Sequence, residues 1–164
     1  MNQPDLTPAA FLVDNLHLLP PGRALDLAMG QGRNAIYLAT HGFDVDGVDL
    51  DAQRVAQVSA AAQELGAPLR AIVANLEDGS YRLPRETYDV IVVFNYLHRP
   101  LFPQIRQALV RGGVVVYRTF TVEQVAFGRP KNPAFLLQQG ELQQLFHGWE
   151  QLVYREGVEP ARKP

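Results

Sequence analysis

The sequence predicts an α/β fold: a doubly wound, mostly parallel sheet with helices on both faces. Three observations predict it. Short apolar runs alternate with stretches of helical periodicity along almost the whole chain, the signature of strand–helix–strand units. The run Tyr88–Phe94 (YDVIVVF) is apolar almost throughout, as a strand covered on both faces has to be. Gly30-Gln31-Gly32 follows directly on another apolar run, where such folds turn tightly from strand to helix.

Each element has a local reason. Thr7 and Pro8 offer an N-cap and a first-turn proline. Ala9, Leu12, Val13, Leu16 and Leu19 then share a face, so a helix is expected over about 7–19, stopped by Pro20-Pro21-Gly22. Arg23–Ala28 (RALDLA) reads as the first strand. Asn34–Thr40 reads as a helix that ends before Gly42. Phe43–Leu50 (FDVDGVDL) is the second strand. Ala52–Leu65 is the clearest helix, with Val55, Val58, Ala62 and Leu65 at helical spacing, Asp51 capping its start and Gly66 its end. Leu69–Val73 and Tyr88–Phe94 are the third and fourth strands. Phe102–Val110 is the next helix and Gly113–Phe120 the fifth strand. Thr121–Gly140, rich in Pro, Gly and Gln, reads mainly as loop, Glu141–Phe146 as a short helix and Glu150–Tyr154 as a last strand.

Composition removes several function classes. The 164 residues carry 15 Lys+Arg against 17 Asp+Glu, a net charge of −2, and no cysteine. Disulfides, thiolate zinc sites and cysteine nucleophiles are therefore out. Nucleic-acid affinity begins with phosphate neutralisation, so a mildly acidic chain argues against DNA or RNA as a partner. His17, His41 and His147 lack metal-ligand spacing, and no metal is expected. The N-terminus has no basic leader before an apolar run, and no stretch nears the ~20 apolar residues of a membrane span. A soluble, cytoplasmic protein is the expectation, read as one domain over 1–164.

In a sheet of this kind ligands bind at the carboxyl ends of the strands. The loops after Ala28, Leu50, Val73, Phe94 and Phe120 therefore share one rim. Asp49 follows Gly30 by 19 residues, at the end of the next strand. A carboxylate there can accept both hydroxyls of an adenosine ribose, so the glycine loop and Asp49 together point to a nucleoside-bearing cofactor. Two classes fit. Gly30-x-Gly32-x-x-Ala35 matches the dinucleotide fingerprint, which favours an NAD(P)-dependent oxidoreductase. Asp26 opposes it: a carboxylate inside the first strand repels phosphates and suits a cation. S-adenosylmethionine carries an ammonium and a sulfonium, so Asp26 moves the balance toward it.

Residues 24–34 (ALDLAMGQGRN) resemble the first motif of class I S-adenosylmethionine-dependent methyltransferases. The ending Gly32-Arg33-Asn34 resembles the tellurite-resistance methyltransferase subgroup. Residues 47–51 (GVDLD) resemble the acidic second-strand motif, 74–77 (ANLE) the adenine loop, 88–98 the fourth motif and 112–117 the approach to the fifth strand. The resemblance implies a Rossmann-like methyltransferase fold and S-adenosylmethionine as cofactor. It implies a cofactor-binding half over about 23–94, with contacts from Asp26, Ala28, Gly30, Gly32, Arg33, Asn34, Asp49, Leu50, Asn75, Leu76, Phe94 and Asn95. The family often has Gly where Ala28 stands; Ala costs little there provided its φ is negative. A non-catalytic S-adenosylmethionine-binding protein on the same scaffold is the other alternative.

Methyl transfer from a sulfonium is a direct displacement whose leaving group departs neutral. The protein's work is alignment and, for a hydroxyl or amine acceptor, removal of a proton. The half from 95 to 155 is expected to bind a small-molecule methyl acceptor. His98, beyond the fourth strand, is the candidate base, imidazole being the side chain best suited to proton transfer at neutral pH. Tyr117 and Arg118, which end the fifth strand on opposite faces, are the other catalytic candidates; Arg118 suits an anionic acceptor or a structural ion pair. Asn34 is a candidate helix cap, and Thr121–Gly140 a substrate lid or a packed connection. The resemblance also implies a closing strand hairpin, for which Arg155–Pro164, with Pro160 and Pro164, is too short. The seventh strand is therefore expected to be missing or stunted, leaving a sheet edge that a second copy can cover as a homodimer.

Overall fold

In the computed structural model, which describes residues 4–159, the strands are β1 (Arg23–Leu27), β2 (Asp44–Asp49), β3 (Leu69–Val73), β4 (Tyr88–Phe94) and β5 (Leu109–Arg118). They form one sheet in the order β3-β2-β1-β4-β5, and every pairing is parallel. β1 is buried from Ala24 to Leu27 and sits in the middle. The chain order reverses about β1, so the crevice at the carboxyl ends of β1 and β4 is the switch point of the sheet. The described residues form two compact units, the first ending at Thr119 and the second starting at Phe120.

In the first unit, helices α1 (Ala10–Asn15), α2 (Arg33–Ala39) and α3 (Ala52–Leu65) supply Leu12, Leu38, Val55 and Val58 to a core with Ala24, Val45, Val90, Val92 and Val116. Strand side chains alternate between faces, so Leu25, Leu27 and Ile91, also fully buried, belong to the opposite face. Helix α4 (Phe102–Ala108) buries Phe102, Ile105 and Ala108. In α3 both local signals operate as expected: Asp51 accepts from the amides of Gln53 and Arg54, and Gly66 closes the helix in the left-handed region.

Several boundaries differ from expectation. The first helix begins at Ala10, with Ala9 as its uncapped start. Thr7 is no cap, because its amide donates to Asp5 Oδ1 and the Ala9 amide is taken by Asn34 Oδ1. The helix breaks at Asn15, whose side-chain amide donates back to the Phe11 carbonyl, competing with the backbone ladder. A 3₁₀ turn over Leu16–Leu18 finishes the element. Asn34 does not cap α2 either; Gly32 occupies that position with no side-chain bond, and Asn34 is buried one position inside the helix. β5 starts at Leu109 rather than Gly113 and ends at Arg118; an irregularity opposite Tyr88 and Val90 absorbs the extra residues.

Ala28 takes a φ of +54°, so the condition under which Ala costs little at this position is not met. A residue with a Cβ loses roughly 1–2 kcal/mol in that region. Ala28→Gly is therefore expected to stabilise the fold by about 1 kcal/mol once the added freedom of the unfolded chain is deducted. Chemical denaturation of the two proteins measures it.

In the second unit, Val122–Ala126 and Pro133–Phe135 are 3₁₀ turns and α5 (Glu141–Leu145) is a short helix. Thr121 makes a single parallel bridge to Leu137. Glu150–Tyr154, expected as a strand, has no strand pairing, and its Leu152 is exposed. Among the described residues the sheet has neither a sixth nor a seventh strand. Residues 160–164 of the expected stunted segment lie outside the described residues. None of the described helices is long and apolar enough to cross a membrane.

Candidate functional site

The turn after β1 is built from positive backbone angles at Ala28, Gly30 and Gly32. The Met29 amide donates to the Val48 carbonyl at 3.0 Å, and the Gly32 amide to the Met29 carbonyl at 2.9 Å. Gly47 leaves room beneath it, for a Cβ there would run into Met29 Sδ. A Cβ on Gly32 would stand 2.7 Å from Val58 Cγ2 of α3, so Gly32 is what lets the two helices pack. A Cβ on Gly30 would meet nothing within 4 Å.

Asp49 clamps this turn to the end of β2. Its Oδ2 accepts from the Gly30 amide and its Oδ1 from the Asp51 amide, both at 2.9 Å. The helix cap is Asp51, two residues on. Asp49 is thus set between the glycine loop and the start of α3, and each oxygen keeps accepting capacity. Leu50 beside it is 63% exposed, an apolar side chain left uncovered next to the carboxylate.

Asp26 is the electrostatic centre of the rim. It is 2% exposed, and its Oδ2 has no hydrogen-bond partner. Burial pushes its carboxyl up to about 8; the Ala35 amide opposes this, the Asp49 charge adds to it and Arg33 opposes it. The folded state therefore holds this proton more tightly than the unfolded chain. Asp26 favours folding fully below about pH 4 and loses that contribution as pH rises to about 8. Asp26→Asn is expected to match the native chain in stability near pH 4 and exceed it near pH 8, which thermal unfolding at the two pH values checks.

A second set of contacts orders the loops after β3 and β4. Asn75 Oδ1 accepts from the Glu77 amide at 2.8 Å, closing a tight turn, and Leu76 is buried. Glu77 Oε1 lies 3.2 Å from His98 Nδ1. This pairing escaped the sequence, although both residues fall in loops of the shared rim. His98 begins a 3₁₀ turn without capping it. Phe94 is buried, and Asn95 follows with a φ of +57°. Its amide donates to the Arg118 carbonyl at 2.9 Å, and its side-chain oxygen accepts from Arg118 Nη1. Tyr117 stacks on Phe102 with centroids 5.1 Å apart and donates its hydroxyl to the Tyr96 carbonyl at 2.7 Å. Burial raises the Tyr117 hydroxyl far above the ordinary tyrosine value. Tyr117 therefore braces the loop that carries His98, and its hydroxyl stays protonated near neutral pH, so it does not serve as a base.

Asp46 is the buried group that sequence reasoning passed over. Its oxygens accept from Tyr88 Oη at 2.7 Å, Arg23 Nη2 at 2.9 Å and Arg70 Nε at 2.6 Å. These three donors satisfy the Asp46 carboxylate inside an otherwise apolar strand, while Arg23 Nε, also buried, has no hydrogen-bond partner. Among the described residues no group of three His, Asp or Glu side chains could hold a metal ion.

Sheet order, glycine turn and second-strand acid together define the Rossmann-like fold of S-adenosylmethionine-dependent methyltransferases. The crystal structure of TehB from Haemophilus influenzae superposes with a TM-score of 0.79 at 22% identity, covering 95% of this chain and 56% of that one. A methyltransferase of this class from Mesorhizobium loti superposes at 0.59 with 28% identity, over 69% of this chain and 55% of that one. The sequence signature of the tellurite resistance protein TehB family matches residues 4–163, and the chain belongs to that family. Among curated relatives, the probable S-adenosyl-L-methionine-dependent methyltransferase TehB of H. influenzae is 26% identical over 160 residues, 93% of this chain and 54% of the relative. Hemagglutinin 1 of Eikenella corrodens is 33% identical over 144 residues, 84% of this chain and 47% of the relative. The chain thus spans about half the length of these curated relatives.

Proposed function

We propose that the chain is an S-adenosylmethionine-dependent methyltransferase that acts on a small-molecule acceptor by direct displacement. The observation that carries this reading is Asp26 Oδ2, buried, unpartnered and flanked by the glycine turn and Asp49. A buried carboxylate oxygen with no donor calls for a cationic ligand; a dinucleotide pyrophosphate would add repulsion instead. The residues present fit S-adenosylmethionine. Asp26, behind the glycine turn, would hold its cationic amino-acid end, and Asp49 would accept from the ribose hydroxyls. The exposed Leu50, with Leu76, offers apolar surface to the adenine, and Phe94 and Asn95 close the loop beside β4. S-adenosylmethionine supplies a methyl group on a sulfonium, an electrophile that needs no acid to help it leave. The family and the methyltransferase name of its H. influenzae relative support the same reading.

The chain's own residues then hold and orient. His98, steadied by Glu77, takes the proton of a hydroxyl or amine acceptor, and Arg118, which donates to Asn95 Oδ1, is the residue suited to an anionic one. General-base assistance is worth roughly 10²–10⁴-fold. His98→Gln is expected to lower kcat on a neutral acceptor by about that factor, with adenosylhomocysteine affinity unchanged.

Asp26 supplies the first test. Its carboxyl is protonated in the free protein below about pH 8, so binding a cation has to expel a proton. Affinity for S-adenosylmethionine is expected to rise by up to about tenfold per pH unit between about pH 6 and 7.5. Asp26→Asn flattens the profile. Calorimetry in buffers of different ionisation enthalpy reads the released proton directly; a flat native profile would oppose the assignment.

A further inference from the structure

The second unit carries a shallow cavity of about 470 Å³ lined by Phe120, Arg129, Pro130, Lys131, Asn132 and Phe135. Its volume falls in the range of small-ligand sites. Its walls combine two kinds of surface. Phe135 keeps about half of its surface in water, and Phe127, eight residues earlier in the chain, keeps more; apolar surface left in water costs free energy that a ligand's apolar part would recover. Between those two phenylalanines the only charged side chains are Arg129 and Lys131. Neither forms an ion pair among the described residues. The segment is also held in shape. The Gln124 side-chain amide donates to the Arg129 carbonyl at 3.0 Å, and Asn132 Oδ1 accepts from the Ala134 amide at 3.0 Å. Pro130 and Pro133 remove further backbone freedom, so little ordering remains to oppose binding.

We propose that this cavity binds a small amphipathic anion: a carboxylate joined to a flat aromatic body, with the ring on Phe120 and Phe135 and the anionic head at Arg129 and Lys131. Apolar walls alone would accept any hydrophobic molecule, and two cations alone would hold any oxyanion weakly in water. Together they select a ligand that has both parts. The proposal is independent of the cofactor assignment, because every lining residue belongs to the unit that starts at Phe120.

Titration of the full chain with 2-naphthoate, followed by calorimetry, tests it. Saturable binding is expected, persisting at saturating adenosylhomocysteine and weakening with added salt. Arg129→Gln and Lys131→Gln should each weaken it by about three- to fivefold, the size of one exposed charge pair. Phe135→Ser should weaken it further, and neutral 2-naphthalenemethanol should bind at least about fivefold less tightly. The substituted side chains are exposed, so circular dichroism is expected to stay native. The proposal fails if 2-naphthoate does not bind, if the neutral alcohol binds equally, or if inorganic phosphate displaces it at comparable concentration. It also fails if adenosylhomocysteine displaces it while Arg129→Gln leaves it unchanged, since the ligand then occupies the rim of the sheet.

Discussion

Asp49→Ala is expected to weaken adenosylhomocysteine binding by more than about a hundredfold. Hydrogen bonds to a charged group contribute roughly 1.5–3 kcal/mol each, and the ribose offers two. The free protein adds to the loss, because the amides of Gly30 and Asp51 both donate to this carboxylate. Without it the glycine turn is no longer tied to the end of β2. Asp49→Asn keeps one acceptor and fits the same space, so it should retain part of the affinity. Calorimetric titration gives the ratio, and far-ultraviolet circular dichroism establishes that the fold persists. Undiminished binding by Asp49→Ala would remove Asp49 from the site.

Gly32→Ala is expected to have the largest effect on stability, about 2–4 kcal/mol. Two causes add. The backbone there has a φ of +77°, which costs a residue with a Cβ roughly 1–2 kcal/mol. The new Cβ would also stand 2.7 Å and 2.8 Å from the two methyl carbons of Val58, and overpacking typically costs about 1–3 kcal/mol. The causes are separable. In Gly32→Ala with Val58→Ala the two shortest contacts disappear, leaving one of 3.3 Å to the Cβ at position 58, while the backbone part remains, so the double variant should lie closer to Val58→Ala than addition of the single effects predicts. Strict additivity in denaturant unfolding would contradict the packing assigned to Gly32.

The parts of this fold that were legible from sequence are those whose causes are local. α3 announced itself because its caps, Asp51 and Gly66, act within one turn of the helix. β4 did so because a doubly covered strand has to be apolar on both faces. What escaped depends on partners far along the chain. Asn34 looks like a cap, but its acceptor serves Ala9, 25 residues away. Leu109 and Val110 fit a helix and a strand equally well by pattern; pairing with β4 decides for the strand. Glu150–Tyr154 has strand-like residues and no neighbouring strand, and propensity without a partner does not make a sheet.

The site divides in the same way. Asp26, Gly30, Gly32 and Asp49 were legible because strand order brings successive loops to one rim. The contacts that refine it were not: Glu77 on His98, Tyr117 on Tyr96, Asp46 among Arg23, Arg70 and Tyr88. The strain at Ala28 is a property of backbone angle, and the residue type gave no sign of it.

The most direct measurement is equilibrium binding by the native chain to three ligands in parallel: S-adenosylmethionine, adenosylhomocysteine and NADH. Saturable binding of both adenosyl ligands, weakened by Asp49→Ala, and none of NADH is the expected result. Binding of NADH without either adenosyl ligand, or no binding of S-adenosylmethionine at all, would contradict it.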